Sequence, residues 1–174
     1  MNLIYMKNTL SDINEFVTVE KEVDLLRDYI DIQKLTFANP PTVHFDIDEN
    51  INGCKIIKLL LQPIVENAIL HGLKPKKSDC ILTITGRAVD EALEFKIEDN
   101  GVGFDISKSN LNFQNRDFKN GVGLRNVHNR IVLTFGEEYG ITVVSCVNQG
   151  TAVTVRIPKI LSEGDYSSYE HLDS

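Results

Sequence analysis

The stretch LLQPIVENAILHG, residues 60–72, is mostly apolar but carries polar side chains in its second half. Apolar residues continue back to Ile56 and fall on most sides of a helix, so the pattern predicts a largely buried helix over residues 55–72. Pro63 deletes one backbone hydrogen bond and is expected to bend this helix, and Gly72 is expected to end it.

Three polar residues of this helix form the first candidate site: Glu66, Asn67 and His71. Such side chains are costly to bury without partners, and Asn67 and His71 are spaced so that they share one helical face. An amide oxygen is a ligand suited to Mg²⁺, and the neighbouring carboxylate of Glu66 can orient water or accept a proton. A polar stripe at the solvent edge of the helix is the alternative interpretation.

The segment EDNGVG, residues 98–103, directly follows a strand-like stretch. Asp99 then stands at the strand end as a carboxylate acceptor, and the following glycines would allow a flat ligand to approach the backbone. A carboxylate that accepts from an exocyclic amine selects adenine over guanine, which carries a carbonyl at that position. Since Asn-Gly is also a strong turn signal, a simple turn is the alternative.

Two further segments are weaker when each is taken alone. NGVGL, residues 120–124, opens a helical pattern, and glycine-rich backbone at a helix N-terminus offers N–H groups to phosphate. The third glycine of the dinucleotide fingerprint is absent, and the chain contains no GxxxxGK[ST] loop, so a flexible junction explains this segment nearly as well. Gly150-Thr151 lies between the last two strand-like stretches and by itself indicates only a hairpin turn.

The rest of the sequence alternates between helical and strand-like periodicity. Helices are expected over residues 19–38, capped by Thr18 and stopped by residues 39–41, and over residues 121–135. Strands are expected over residues 42–48, 80–89, 92–98, 141–147 and 151–157, with hairpins at 90–91 and 148–150. The fold class is therefore α/β (an α+β two-layer sandwich): a mixed, mostly antiparallel sheet of about five strands, covered on one face by three helices. The long segment 104–120 is expected to act as a lid.

Composition and charge narrow the class of protein. A chain of 174 residues, 42% hydrophobic and 25% charged, is typical of one globular domain. Its 18 basic and 25 acidic residues give a net charge of −7, which argues against wrapping nucleic acid or coating an anionic membrane. The start is too polar for a signal peptide, and no apolar run reaches the about 18 residues of a membrane span. The three cysteines form no CxxC pair, which argues against zinc.

Taken in order, the four segments resemble the nucleotide-binding boxes of the GHKL family, which includes gyrase-type ATPases, Hsp90 chaperones, MutL repair proteins and sensor histidine kinases. The resemblance covers residues 17–159 and implies the Bergerat ATP-binding fold. Residues 60–72, VTVEKEVDLLRDYIDIQKL at 17–35 and GVGLRNVHNRI at 121–131 resemble the LytS-type sensor histidine kinases in particular. This implies ATP and Mg²⁺ as the bound species, and transfer of the ATP γ-phosphoryl group to a histidine as the reaction.

The resemblance also implies roles for individual residues. On the phosphate side, Asn67 would hold Mg²⁺ and His71 would line the site. At the adenine end, Asp99 would bind the amino group, Gly101 and Gly103 would flank the base, and Thr151 would support it. The residues that would wrap the phosphates are Gly121, Val122, Gly123 and Leu124. Pro63 stands where gyrase-type relatives carry a general base, which leaves Glu66 as the candidate catalytic carboxylate. Leu70 stands where this branch often has a phosphate-binding lysine, and the candidate substitutes are Arg125, Lys74, Lys76 and Lys77.

The phosphate-accepting histidine of this family is not recognisable in the sequence. In LytS-type kinases a Phe-Asn pair follows that histidine, and the histidines here, His44, His71, His128 and His171, have other neighbours. Either the chain is a fragment of a longer kinase or it acts on a histidine supplied by a partner, and we expect the fragment. Residues 1–17 would be the end of a dimerisation and phosphoacceptor region or a linker, residues 18–159 the ATP-binding catalytic domain, and residues 160–174 a disordered tail.

The expected partners are the dimerisation segment of the same kinase, which supplies the histidine, and a cognate response regulator. The full-length kinase is expected to be a homodimer anchored in the cell membrane, with this domain in the cytoplasm and no nucleic-acid partner. Two other functions stay open at this point: a serine kinase of the anti-sigma-factor type, which shares the fold, and an ATP-gated interaction module without transferase activity. A scaffold that no longer binds ATP is the outcome expected if Leu70 abolishes binding.

Overall fold

The computed structural model describes residues 15–106 and 122–161. The strands are β1 Phe16–Thr18, β2 Thr42–Ile47, β3 Lys55–Ile57, β4 Ile81–Val89, β5 Ala92–Asp99, β6 Gly140–Cys146 and β7 Gly150–Pro158. The helices are α1 Val19–Lys34, α2 Gln62–Asn67 and α3 Val122–Phe135. Helix α2 continues through a π-helical stretch, Ala68–Leu73, and a last turn, Lys74–Lys76, and a 3₁₀ turn spans Glu49–Ile51.

The main sheet has five strands in the order β2-β4-β5-β7-β6. Strand β2 runs parallel to β4, whereas the pairs β4–β5, β5–β7 and β6–β7 are antiparallel. Side chains alternate along β5, where Leu93, Phe95 and Ile97 are buried and the residues between them are more accessible to solvent. The buried face packs into one apolar core with the helices. The mixed, mostly antiparallel two-layer sandwich expected from the sequence is confirmed.

The prediction of a helix over residues 55–72 is wrong about where the helix begins. Lys55–Ile57 forms strand β3, which pairs antiparallel with β1 through Phe16↔Ile57 and Thr18↔Lys55. A three-residue strand is too short to show periodicity, and its pairing partner is remote in sequence. Helix α2 therefore begins at Gln62, and Pro63 lies in the first turn. A proline there removes an N–H that has no partner within the helix, so Pro63 starts the helix and does not bend it.

The expected end of this helix at Gly72 is also wrong. The helical path continues to Lys76 and stops where Lys77 adopts a left-handed conformation with φ of 72°. Within the π-helical stretch, the N–H of Lys74 donates to the carbonyl of Ile69, five residues back. Gly72 is thus inside the helical path.

Helix α1 begins as expected and ends earlier. The side chain of Thr18 caps it by accepting the N–H of Lys21 at 3.2 Å. Its last residue is Lys34, where residue 38 was expected, and the hydroxyl of Thr36 donates to the carbonyl of Gln33 at 2.7 Å. Such a local side-chain bond competes with continuation of the helix. In the described ranges, no helix combines the length and the apolar character that a membrane crossing requires.

Candidate functional site

Asp99 is the last residue of β5 and one of the few buried charged residues, with 8% of its surface exposed. Its Oδ1 accepts the N–H of Gly101 at 2.8 Å. Burial raises the pKa of Asp99 to about 6, against the opposing effects of the N–H groups of Gly101 and Thr151 and the charge of Lys76. A buried carboxylate with a raised pKa is a frequent mark of a binding or catalytic site.

Gly72 of the π-helical stretch and Gly101 meet at this carboxylate. A Cβ at position 72 would stand 2.5 Å from Oδ1 of Asp99, and a Cβ at position 101 would collide with the carbonyl group of Gly72. The N–H of Val102 also donates to the carbonyl of Gly72 at 3.0 Å. The loop after β5 is therefore seated directly on the end of the α2 segment, and only glycine at both positions permits this approach.

Asn100 attaches the same loop to the start of β4. Its Oδ1 accepts the N–H of Ile81 at 2.8 Å, and its Nδ2 donates to the carbonyl of Asp79 at 2.8 Å. The ammonium of Lys76 donates to the carbonyls of Asn100 and Asp79 at 2.8 and 3.2 Å. The Asn-Gly pair is therefore a turn held in place by tertiary hydrogen bonds.

The lysines considered as substitutes for a lysine at position 70 have other contacts. Lys76 is engaged by the loop after β5, as described above, and the Nζ atom of Lys74 lies 5.7 Å from the ring centroid of Phe37. Lys77 is exposed, and its left-handed backbone conformation ends the helical path. Arg125 lies in α3 and is the one candidate on the helix that follows the third segment.

Thr151 lies beside Asp99, because the two residues are register partners in the β5–β7 pair. Its hydroxyl is 2.9 Å from that of Ser145, which accepts the N–H of Phe104 at 3.0 Å and contacts the carbonyl oxygen of Gly150 at 3.0 Å. Ser145 was not among the predicted site residues. The predicted turn at residues 148–150 would pair residue 147 with Thr151, whereas the register of β6 and β7 sets Ser145 opposite Thr151, so the predicted hairpin does not identify it.

Gly103 packs against this hairpin in a left-handed conformation, with φ of 54°. A Cβ at this position would collide with the carbonyl of Cys146 and stand 2.8 Å from that of Gly150. The neighbouring carbonyl of Val102 accepts the N–H of Asn148 at 2.7 Å. The loop after β5 is thus held between the end of the α2 segment and the β6–β7 turn.

Asn67 lies where α2 meets the N-terminal turn of α3. Its side chain is half-buried, and a Cβ at position 123 would stand 3.1 Å from its Nδ2. Among the other predicted phosphate contacts, Leu124 is buried in the core, and Val122 is the first residue of α3. Gly121 and most of the expected lid, residues 107–120, lie outside the described residues.

Glu66 and His71 are exposed, on the same helical segment as Asn67. The pKa of Tyr29 in α1 is raised by burial and, to a smaller extent, by the charge of Glu66. The charge of Glu66 thus acts on a side chain of α1, whereas the side chain of Asn67 lies beside α3. The structure brings together Asp99, Gly101, Gly103 and Thr151 at one place and Asn67 and Gly123 at another, with Gly72 linking α2 to the first group.

The two places fit an adenine nucleotide with Mg²⁺. The carboxylate of Asp99 receives two N–H groups from the described residues, and a carboxylate has about four acceptor sites, so it can receive an amine. The described residues contain no group of three or more His, Cys, Asp or Glu side chains that could hold a metal ion alone. A single amide ligand suits Mg²⁺, which keeps several waters and binds phosphate oxygens.

Comparison with known proteins decides the family. The model of the family described as histidine kinase-, DNA gyrase B-, and HSP90-like ATPase matches residues 55–161. The chain belongs to this family of ATPases. The assignment made from the four sequence segments is thereby confirmed.

The sequence relatives of this ATPase domain include sensor histidine kinases. Sensor histidine kinase YesM of Bacillus subtilis is 35% identical over 155 residues, which are 88% of this chain and 26% of the relative. Sensor histidine kinase YpdA of Escherichia coli is 36% identical over 145 residues, 83% of this chain and 25% of the relative. The chain spans about a quarter of the length of these curated relatives.

The solved structures show the same fold. The catalytic domain of histidine kinase ThkA superimposes with a TM-score of 0.61 at 15% identity, covering 84% of this chain and 97% of that one. The predicted sandwich therefore agrees with the fold of a solved domain that shares little sequence with this chain.

Proposed function

We propose that this ATPase domain is the catalytic domain of a two-component sensor histidine kinase, which binds Mg²⁺-ATP and transfers the γ-phosphoryl group to a histidine. The observation that carries the proposal is the buried carboxylate of Asp99, held between Gly72 and Gly101 with acceptor capacity remaining. The adenine amino group would donate to this carboxylate. Guanine would present a carbonyl oxygen there and would be repelled.

The phosphates would lie toward the start of α3, which is 14 residues long. The N–H groups of its first turn have no partner within the helix, and its dipole favours negative charge there. Asn67 stands beside Gly123 in this turn, as described above, and would hold Mg²⁺ through its amide oxygen. The metal would neutralise phosphate charge during transfer. Gly121 and Val122 would add backbone contacts, and His71 would line the same side.

Phosphoryl transfer requires alignment and charge neutralisation more than covalent help from the enzyme. A new bond forms between an imidazole nitrogen and the γ-phosphorus, the bond to the bridging oxygen breaks, and ADP leaves. Glu66 would accept a hydrogen bond from the other imidazole nitrogen and so favour the attacking tautomer. Its exposed position on α2 would let it meet a separate segment.

The acceptor histidine is proposed to lie on a dimerisation segment of the same kinase. His44 belongs to β2, and Nδ1 of His128 accepts the N–H of Ile141 at 3.2 Å, so both are parts of the fold. The similarity to sensor histidine kinases over a quarter of their length supports a longer protein with such a segment. A homodimeric, membrane-anchored kinase with a response regulator as partner is the corresponding proposal for the whole protein.

Calorimetric titration tests nucleotide binding. Mg²⁺-ATP is titrated into the wild type, Asp99→Asn and Glu98→Gln, with Mg²⁺-GTP as the nucleotide control. Glu98 adjoins Asp99 but projects from the other face of β5, where it pairs with Lys96 at 2.7 Å, so it is the matched control. We expect binding of ATP alone, lost in Asp99→Asn and kept in Glu98→Gln. Equal affinities for ATP and GTP would contradict the proposed adenine site.

A second assay tests the transfer. The domain is incubated with γ-labelled ATP and a dimerisation segment of a LytS-type kinase that carries the histidine motif. Phosphohistidine is labile in acid, so we expect label that acid removes and that Glu66→Gln reduces. Acid-stable label on a serine of a protein substrate would instead support a serine kinase. Binding without label on any protein would support the interaction module.

A further inference from the structure

Glu22 of α1 is a fully buried carboxylate, with 0% of its surface exposed. Its two oxygens accept backbone N–H groups from the loop before α2, Leu59 at 2.8 Å and Leu61 at 3.0 Å. The N–H of Leu60 also interacts with this carboxylate, and it lowers the pKa of Glu22 less than the other two N–H groups do. Because burying a charge is costly unless hydrogen bonds compensate, these contacts fix the loop against α1.

The loop that Glu22 holds, residues 58–61, leads directly into α2 and contains a strained backbone position. Leu61 is the N-cap residue of α2, and in the described part of the chain its side chain makes no capping bond. Leu59 adopts a left-handed conformation with φ of 56°, which is unusual and strained for a branched side chain. Glu22 therefore supplies, from another helix, the negative charge that favours a helix N-terminus.

Arg130 of α3 is the opposite charge near Glu22. Burial lowers the pKa of Arg130, and the charge of Glu22 opposes that change. In turn, burial raises the pKa of Glu22, while the backbone N–H groups and Arg130 oppose the rise. One carboxylate on α1 is thus hydrogen-bonded to the start of α2, and its charge interacts with that of Arg130 on α3.

The same two helices carry the phosphate side of the proposed site. The side chain of Asn67 on α2 meets Gly123 on α3. Asp99, at the end of β5, is tied to Gly101 and Thr151 and meets the α2 segment at Gly72, which is farther along the helical path from Leu61 than Asn67 is. We propose that Glu22 is a positioning residue that sets the spacing of α2 and α3 and thereby tunes the affinity for the phosphates of ATP, without affecting adenine recognition. This inference rests on the proposed nucleotide site.

The test compares ATP with adenosine, which lacks the phosphates. Affinities for Mg²⁺-ATP and for adenosine are measured by NMR titration for the wild type, Glu22→Gln and Glu20→Gln. The exposed Glu20 lies on the same helix and loses the same charge, so it is the matched control. We expect Glu22→Gln to bind Mg²⁺-ATP at least about tenfold more weakly, with adenosine affinity within twofold of wild type and with Glu20→Gln unchanged.

A merely structural role gives a different result. Glu22→Gln would then lower the unfolding temperature and leave both affinities unchanged or reduce both alike, and either pattern would overturn the inference. If Glu22→Gln does not fold, Arg130→Lys takes its place, because it keeps the charge but shortens the reach toward Glu22. We expect the same selective loss for Mg²⁺-ATP, and unchanged affinity would overturn the inference. A wild type that binds neither ligand would refute the proposed function, and the inference with it.

Discussion

The backbone of Gly72 lies against the carboxylate of Asp99 so closely that a Cβ at position 72 would stand 2.5 Å from Oδ1. Gly72→Ala should therefore displace the carboxylate, and we expect the affinity for Mg²⁺-ATP to fall by about tenfold or more. Gly53→Ala is the matched control, since a Cβ at position 53 meets nothing within 4 Å. Calorimetry of both variants checks the prediction, and full ATP affinity in Gly72→Ala would contradict the proposed role of this contact.

The raised pKa of Asp99, about 6, predicts a pH dependence of nucleotide binding. The ionised carboxylate accepts from the adenine amine more strongly than the protonated acid does, so the affinity for ATP should fall as the pH drops below about 6. Titration of Mg²⁺-ATP between neutral and mildly acidic pH measures this fall. An affinity that stays constant across this range would show that Asp99 does not receive the amine.

The same group has the opposite effect on the stability of the nucleotide-free domain. Its folded pKa of about 6 exceeds the ordinary value of 3.8, so the folded state binds the proton more tightly than the unfolded state. Protonation of Asp99 thereby adds at most roughly 3 kcal/mol to the free energy of unfolding. This contribution is complete below the ordinary pKa of 3.8 and is lost as the pH rises through about 6. Denaturant unfolding across this range should show the trend in the wild type, and Asp99→Asn should remove its contribution.

The order of the chemical segments was predictable from sequence because each is a local pattern. Asp99 follows a strand whose alternation is visible, and Gly123 opens a helix with regular apolar spacing. The contact of Asp99 with Gly72 was not predictable from periodicity. A π-helical stretch continues the helical path beyond Gly72, the expected helix end, and the contact joins segments that are separated by a whole hairpin.

The burial of Glu22 was also not predictable from the sequence. In the sequence it reads as one of two acidic residues in the first turn of α1, where negative charge is expected on the surface. Its partners are backbone N–H groups of residues 59–61, which have no side-chain signature. The misplaced start of α2 has the same origin, because the pairing of β3 with β1 is a tertiary interaction of two very short strands.

Ser145 joins three parts of the adenine side through its hydroxyl: Thr151, Gly150 and the N–H of Phe104. Ser145→Ala should lose these bonds, at about 1 kcal/mol each, and weaken ATP binding severalfold. Thr142→Ala is the matched control, since Thr142 lies on the same strand with an exposed side chain. Denaturant unfolding and calorimetry measure the two effects. Equal stability and equal ATP affinity in the two variants would show that Ser145 does not support the site.

Asn67 is the proposed Mg²⁺ ligand, and removal of its amide oxygen should separate metal-dependent from metal-independent binding. Wild-type affinity for ATP is expected to rise at least about tenfold when Mg²⁺ replaces a chelator, because the metal offsets phosphate charge. With the chelator, Asn67→Ala should bind ATP as the wild type does, but it should lose most of the increase in affinity that Mg²⁺ causes. Asn39 is exposed, and Asn39→Ala should keep this increase. Calorimetry under both conditions gives the gain for each variant. A gain in Asn67→Ala equal to that of the wild type would place the metal on other ligands, most directly on the phosphates and water alone.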